Sequence, residues 1–289
     1  MEVFVRLCGL LIGLGGRCLV TESRKLQCID THCHFDFDAF SSHRADILKS
    51  CNNLGISRLI IPGVSPQQWL RLPELCERYQ GLYFSLGLHP WWIQEVLGAD
   101  AVVEIELRKL EQLLLSQVGH RKCVALGECG LDKSREQPLA EQLNVLRWHC
   151  RLALQLNKPL ILHCVKAHNE MLQCLNDFPN LHGVVHAFTG SAETANAYWQ
   201  RGFYLGVGGS ITYERARKTR EAIRAMPLES LLLETDAPDM PLSGRQGQHN
   251  SPVQLIEVAQ SLAELKSISF ARIAQATTTN AQTLFCLSD

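Results

Sequence analysis

Short, nearly unbroken apolar runs alternate along the chain with longer stretches in which apolar residues recur every three or four positions. The runs are Leu26–Ile29, Arg58–Pro62, Leu82–Leu86, Cys123–Leu126, Pro159–Leu162, Gly183–Val185, Phe203–Val207 and Leu231–Leu233. Helical spacing predicts helices over 41–54, Pro66–Tyr79, Val102–Gln117, 138–156, 167–177, 191–201, 214–225, 252–265 and 269–285. Runs without polar alternation predict strands buried on both faces. Strands alternating with helices predict a parallel sheet. Eight such units in about 260 residues match the size of a closed (β/α)8 TIM barrel. An open doubly wound sheet is the rival, and it carries a glycine-rich phosphate loop after its first strand. Here that position holds His32-Cys33-His34. With no linker or low-complexity segment, residues 26–289 read as a single domain.

The first 25 residues stand apart. Leu7 to Leu14 is apolar and flanked by Arg6 and Arg17. It is too short to span a bilayer and lacks a clear cleavage site. Residues 1–25 are therefore expected to be a poorly ordered extension. The 289-residue chain is 46% hydrophobic and 20% charged, which fits a soluble globular protein and no membrane association. A net charge of −1 excludes an overall basic field, so contact with a polyanion must come from a local patch. The 12 cysteines form no Cys-x-x-Cys pair and are scattered through apolar runs. Reduced thiols in a cytoplasmic protein fit that pattern better than a disulfide scaffold. No obligate protein partner is evident.

The chemistry gathers at the strand ends, where a barrel places its active site. In an extended chain side chains i and i+2 point the same way, so His32 and His34 can offer two imidazoles to one point. Glu128 closes the fourth run, His163 the fifth, His186 the sixth and Asp236 the eighth. Any one of these alone reads as a turn or surface group. Six metal-competent residues at one end of a barrel point to a metal site. A single catalytic zinc takes about three protein ligands, whereas six suit two ions. Glu128, with two oxygens, is the natural bridge. One ion would then be held by His32, His34, Glu128 and Asp236, the other by Glu128, His163 and His186. Asp236 is the candidate base for a water activated by the two ions.

Ile29-Asp30-Thr31-His32-Cys33-His34, Gly87-Leu88-His89-Pro90, Gly127-Glu128-Cys129-Gly130-Leu131-Asp132, Val185-His186-Ala187-Phe188-Thr189-Gly190 and Glu234-Thr235-Asp236-Ala237-Pro238 together resemble the TatD family of metal-dependent hydrolases. Gly208-Gly209-Ser210-Ile211-Thr212-Tyr213 is similar to its YjjV-type branch. The resemblance runs from about Leu26 to the C-terminus. It implies a (β/α)8 barrel of the amidohydrolase type and two divalent cations, Mg, Mn or Zn. It also implies phosphodiester hydrolysis, with nucleic acid (several members act as DNases) or a small phosphodiester as substrate. Many members carry Ser-Arg after the strand-five histidine; this chain has Cys164-Val165 with Lys166 next. Lys166 is thus a candidate phosphate contact.

Further expectations concern the surroundings. His89 is a candidate donor to a substrate phosphate. Asp132 and Glu234 are candidates for orienting ligand histidines. Arg217, Lys218 and Arg220, within a cationic segment that also holds Arg215 and Arg224, are candidate phosphate contacts. Trp91 and Trp92 are expected to pack as a lid rather than stack on bases, and strand alternation should turn Cys33 and Cys164 away from the ligands. Two other classes remain open: hydrolysis of an amide, lactone or aminoacyl ester on the same metal pair, and a binding module without catalysis.

Overall fold

Eight strands, all parallel and in sequential order, make one sheet in a computed structural model that describes residues 26–98 and 103–287. They are β1 (Cys28–Asp30), β2 (Ile56–Ile61), β3 (Leu82–Leu86), β4 (Cys123–Asp132), β5 (Leu160–Val165), β6 (Gly183–Val185), β7 (Phe203–Val207) and β8 (Leu231–Leu233). The ring closes between its first and last members: Thr31 N–H donates to the Leu233 carbonyl at 3.0 Å, and Asp236 N–H to the His32 carbonyl at 2.9 Å. The structure is the expected (β/α)8 barrel. The expected extension over 1–25 lies outside the described residues.

Strand alternation sorts the apolar residues into two cores. Cys28, Leu160 and Leu162 belong to the shell between sheet and helices. Their neighbours Ile29 and Ile161 join Ile60, Val184 and Leu232 in a separate cluster with Leu284, Phe285 and Leu287. The last helix thus closes the end of the lumen where β1 begins, and Thr278 Oγ1 donates to the Gln27 carbonyl there at 2.6 Å. With that end filled by hydrocarbon, the strand C-termini are left for polar groups.

The helices in order are α1 (Arg44–Leu54), α2 (Pro66–Trp69), α3 (Leu72–Arg78), α4 (Ile93–Leu97), α5 (Val103–Val118), α6 (Leu139–Leu156), α7 (His168–Asn176), α8 (Ala192–Trp199), α9 (Arg217–Ala225), α10 (Leu255–Lys266) and α11 (Phe270–Phe285). The single helix expected over Pro66–Tyr79 is broken into α2 and α3. Pro73 has no N–H and its ring clashes with the carbonyl four residues back, so a continuous helix cannot pass it. A short turn over Pro90–Trp92 and helix α4 occupy a stretch for which only a loop was expected. The helix expected from 214 begins at Arg217, after a 3-10 turn at Gly209–Thr212.

The largest departure concerns β4, expected to stop at Leu126. It continues to Asp132, and its register against β5 jumps from Leu126 opposite Leu160 to Cys129 opposite Leu162. Three residues on β4 therefore face two on β5. Such a bulge re-aims side chains locally, and the residues within it are Gly127 and Glu128.

Candidate metal centre

Glu128 is 2% exposed and sits at the middle of the strand ends with histidines on both sides. Its Oε2 lies 3.3 Å from His32 Nε2 and 3.8 Å from His34 Nε2. Its Oε1 lies 2.9 Å from His163 Nδ1, 2.9 Å from His186 Nε2 and 3.2 Å from His89 Nε2. Asp236 Oδ1 completes the first side, 3.5 Å from both His32 Nε2 and His34 Nε2. All six expected ligand residues thus come together around one carboxylate, and His89 joins them.

Local structure explains the convergence. Gly87, at the end of β3, is where the β4 bulge needs room: a Cβ there would lie 2.3 Å from the Gly127 carbonyl carbon. Gly127 itself has φ +117°, which a side chain rarely adopts. The β1 and β8 ends are tied together by Asp30, whose carboxylate accepts from Thr235 N–H at 3.0 Å and Thr235 Oγ1 at 2.6 Å. Asn250 Nδ2 donates to the Thr235 carbonyl at 2.8 Å and fixes the loop beyond Asp236. Neither Asp30 nor Asn250 was singled out from sequence. A charged residue directly after an apolar run was the available signal for Asp30; nothing local marks Asn250.

The supporting groups take positions beside the histidines. Asp132 Oδ2 lies 3.3 Å from His163 Nε2, while its Oδ1 accepts from Ser134 N–H and Oγ at 2.8 and 2.6 Å. It therefore both faces a ligand candidate and caps a turn. Glu234 accepts from the Ala187 N–H and stands 3.9 Å from His186 Nδ1. His89 Nδ1 accepts from the Trp91 backbone N–H at 3.1 Å. In the neutral ring that leaves the proton on Nε2, so His89 faces Glu128 as a donor. Lys166 is exposed just past β5 and outside the cluster. Cys33 lies against the Ala237 carbonyl and Cys164 against His168 and Tyr198, away from the convergent nitrogens.

Two expectations change. Trp92 packs on the core, but Trp91 is 53% exposed and is not a packed lid. The cationic segment divides: Arg220 Nη1 donates to the Ile211 carbonyl and Arg224 Nε to the Leu265 carbonyl at 3.2 Å. Those two stitch α9 to its neighbours, whereas Arg217 and Lys218 face solvent.

Burial pushes His32 and His89 down to about 4. Burial also opposes charge on His34 and His163, yet adjacent carboxylates prevail: Asp236 and Glu128 raise the first to about 9, and Asp132 and Glu128 raise the second to about 9. Burial likewise opposes charge on Glu128 and Asp236, but the surrounding imidazoles hold both below the usual carboxylate range. Burial pushes Glu234 up to about 8. Two anionic carboxylates are thus compensated by protons on buried rings. Both ring nitrogens of His32, together with His34 Nδ1 and His186 Nδ1, are buried without hydrogen-bond partners. Buried polar atoms left unpaired are costly. A divalent cation relieves both conditions, replacing the protons and taking up lone pairs. Among the described residues, three groups have donor atoms close enough to share an ion: His32, His34 and Glu128; His89, Glu128 and His163; and His32, His186 and Glu234.

A family model described as TatD related DNase matches residues 29–286. The chain belongs to the TatD family of metal-dependent hydrolases. It is 42% identical over 260 residues to the uncharacterized metal-dependent hydrolase YjjV of Escherichia coli K12, covering 89% of this chain and 97% of that one. The crystal structure of E. coli K12 YjjV, a TatD homologue, matches with a TM-score of 0.82 at 41% identity, covering 91% of this chain and 99% of that one. The TatD protein of Escherichia fergusonii, named a 3′-5′ ssDNA/RNA exonuclease, is 31% identical over 261 residues, 86% of this chain and 95% of that one. Among the described residues of this TatD-family chain, no helix is long and apolar enough to cross a membrane.

Proposed function

We propose that this TatD-family chain, as a single barrel domain over 26–289, hydrolyses phosphodiester bonds in nucleic acid with two divalent cations, Mg, Mn or Zn. The observation that carries the proposal is the division of Glu128, whose two oxygens face separate sets of histidines. One cation is assigned to His32, His34, Glu128 Oε2 and Asp236, the other to Glu128 Oε1, His163 and His186. Bound there, divalent ions supply Lewis-acid polarisation of a phosphoryl oxygen and lower the pKa of nearby water. Asp236, ionised at neutral pH, accepts the proton of the attacking water. His89 donates from Nε2 to a phosphoryl oxygen. Asp132 keeps the ring of His163 in orientation, and Glu234 stands beside His186. The exonuclease name of the E. fergusonii relative and the solvent-facing Arg217 and Lys218 favour a polynucleotide over a small ester.

The test is a substrate panel offered to Mn- or Zn-loaded protein whose metal content has been measured. The panel holds single-stranded DNA, duplex DNA, RNA, bis-nitrophenyl phosphate, small amides and a lactone. Two ions per chain and turnover of the phosphodiesters are expected. Turnover of the amides or the lactone alone would replace this substrate class with another on the same metal pair. A folded protein that takes up no ion would overturn the proposal.

A further inference from the structure

Trp91 is the one aromatic residue among the large apolar side chains that stand markedly exposed in the described residues, 53% open to solvent. An exposed indole is usually free to change rotamer. This one is fixed at both ends. Its backbone N–H donates to His89 Nδ1 at 3.1 Å, and its indole N–H donates to Asp132 Oδ2 at 2.7 Å. Asp132 in turn faces His163 Nε2 at 3.3 Å. The residue is therefore held at its backbone by His89 and at its indole by Asp132, two groups that touch the candidate metal centre, with the ring centroid 6.5 Å from that of His163.

The guanidinium of Arg135, from the loop after β4, lies over the Trp91 ring at 3.5 Å from its centroid. Stacking fixes the cation by its π face and leaves its N–H donors in the guanidinium plane available. Arg135 makes no hydrogen bond or ion pair with any described residue. His89 and His163 meet the indole at 88° and 77°, so neither lies flat against it. An indole has two faces. Arg135 covers one, and among the described residues no ring is stacked on the other.

We propose that Trp91 and Arg135 form a nucleotide subsite, with an unpaired nucleobase stacked on the indole and Arg135 pairing the neighbouring phosphate. This rests on the phosphodiester reading above and names the part of the substrate that reading leaves open. A flat hydrophobic face with an unpaired cation beside it matches the two halves of a nucleotide, a π face and an anion. A sugar offers no such anion, and a base pair in a duplex offers no free face. The scissile phosphate and the stacked base then belong to adjacent positions of one strand, so the subsite selects single strands over duplexes.

The experiment measures calorimetric binding of a hydrolysis-resistant phosphorothioate pentathymidylate to the metal-loaded full chain. It is repeated with the same strand made abasic at each position in turn. In the wild type, one abasic position should weaken binding by roughly 5- to 100-fold, the loss expected for one base–aromatic stack. Trp91→Ala should abolish that discrimination, and Trp91→Phe, which keeps a ring, should restore most of it. Arg135→Ala should lower the slope of log K against log salt by about 0.7, the share of one phosphate contact on a single strand. A merely structural clasp between the two loops would weaken intact and abasic strands equally in Trp91→Ala, and that result overturns the subsite. So does a wild type indifferent to every abasic position. Base-dependent binding that Trp91→Ala removes supports the subsite even where no phosphodiester is cleaved, an outcome that sinks only the hydrolytic reading.

Discussion

At the scale of single residues, Asp236 and His149 show two uses of a buried titratable group. Asp236 faces His32 and His34 across 3.5 Å and is held ionised by them. Asn keeps its shape and one ligating oxygen but accepts no proton near neutral pH. Asp236→Asn should therefore leave the thermal transition nearly unchanged and lower phosphodiester turnover by about 10²–10⁴-fold, the size of a general-base contribution. Steady-state kinetics at saturating metal check this; near-normal turnover would assign the base elsewhere. His149 was not singled out from sequence. Its Nε2 accepts from Leu88 N–H at 3.1 Å and its Nδ1 lies 2.9 Å from the Val145 carbonyl, so the neutral ring is fully used. Burial pushes it down to about 4. A depressed folded pKa means its contribution is complete above the unfolded value, about 6.5. It is lost as pH falls from there through 4, on the order of 3 kcal/mol in all. Urea midpoints from pH 7 to 4 should fall more steeply for wild type than for His149→Gln, and parallel curves would remove His149 as the cause.

At the scale of elements, the β4 bulge and helix α9 carry the predictions. The bulge depends on bare backbone at Gly87, where a Cβ would meet the Gly127 backbone at 2.3 Å. Backbone gives way less readily than a side-chain tip. Gly87→Ala should cost about 1–3 kcal/mol of stability and displace Glu128, so that metal content at both positions falls together. Elemental analysis and thermal melts of the variant check both consequences; unchanged metal content would mean that the bulge tolerates the shift. Helix α9 separates charges by use. Replacing Arg217 and Lys218 with Ala should weaken polynucleotide binding and reduce its salt dependence. Replacing Arg220, which bonds the Ile211 carbonyl, should mainly lower the melting temperature. If Arg220→Ala weakens binding as the outer pair does and melts normally, the division is wrong.

At the scale of the whole molecule, the ligand candidates come from β4, β5 and the segments just after β1, β6 and β8, so a cation bound there would cross-link elements from across the ring. Binding to the folded state alone stabilises it by about 2.7 kcal/mol at a hundredfold excess over Kd. Removing the ions with a chelator should then lower the melting temperature by roughly 5–10 °C. Adding Mn or Zn back should restore it. A chelated protein that melts at the loaded temperature would show that the histidines and carboxylates need no ion to stay together.

The chain's own pattern decided the barrel and the candidates for its metal ligands. Short apolar runs that alternate with helical stretches read as buried strands, and the residues just past each run then lie at the strand's C-terminal end. That is why His32, His34, Glu128, His163, His186 and Asp236 were legible as candidates from the sequence. What the pattern could not show depends on contacts between residues far apart in sequence. The break of Pro66–Tyr79 was local, and Pro73 announced it. The bulge at Gly127 and Glu128 was not, because a register is a relation between two strands and neither strand alone contains it. The same holds for Asp30 against Thr235, for His149 beneath Leu88, and for the parting of Arg220 from Arg217 and Lys218. Trp91 is the clearest case. Whether an indole on a loop packs or stays open depends on what lies around it. Only the fold places Asp132 and Arg135 there, 41 residues away in the case of Asp132.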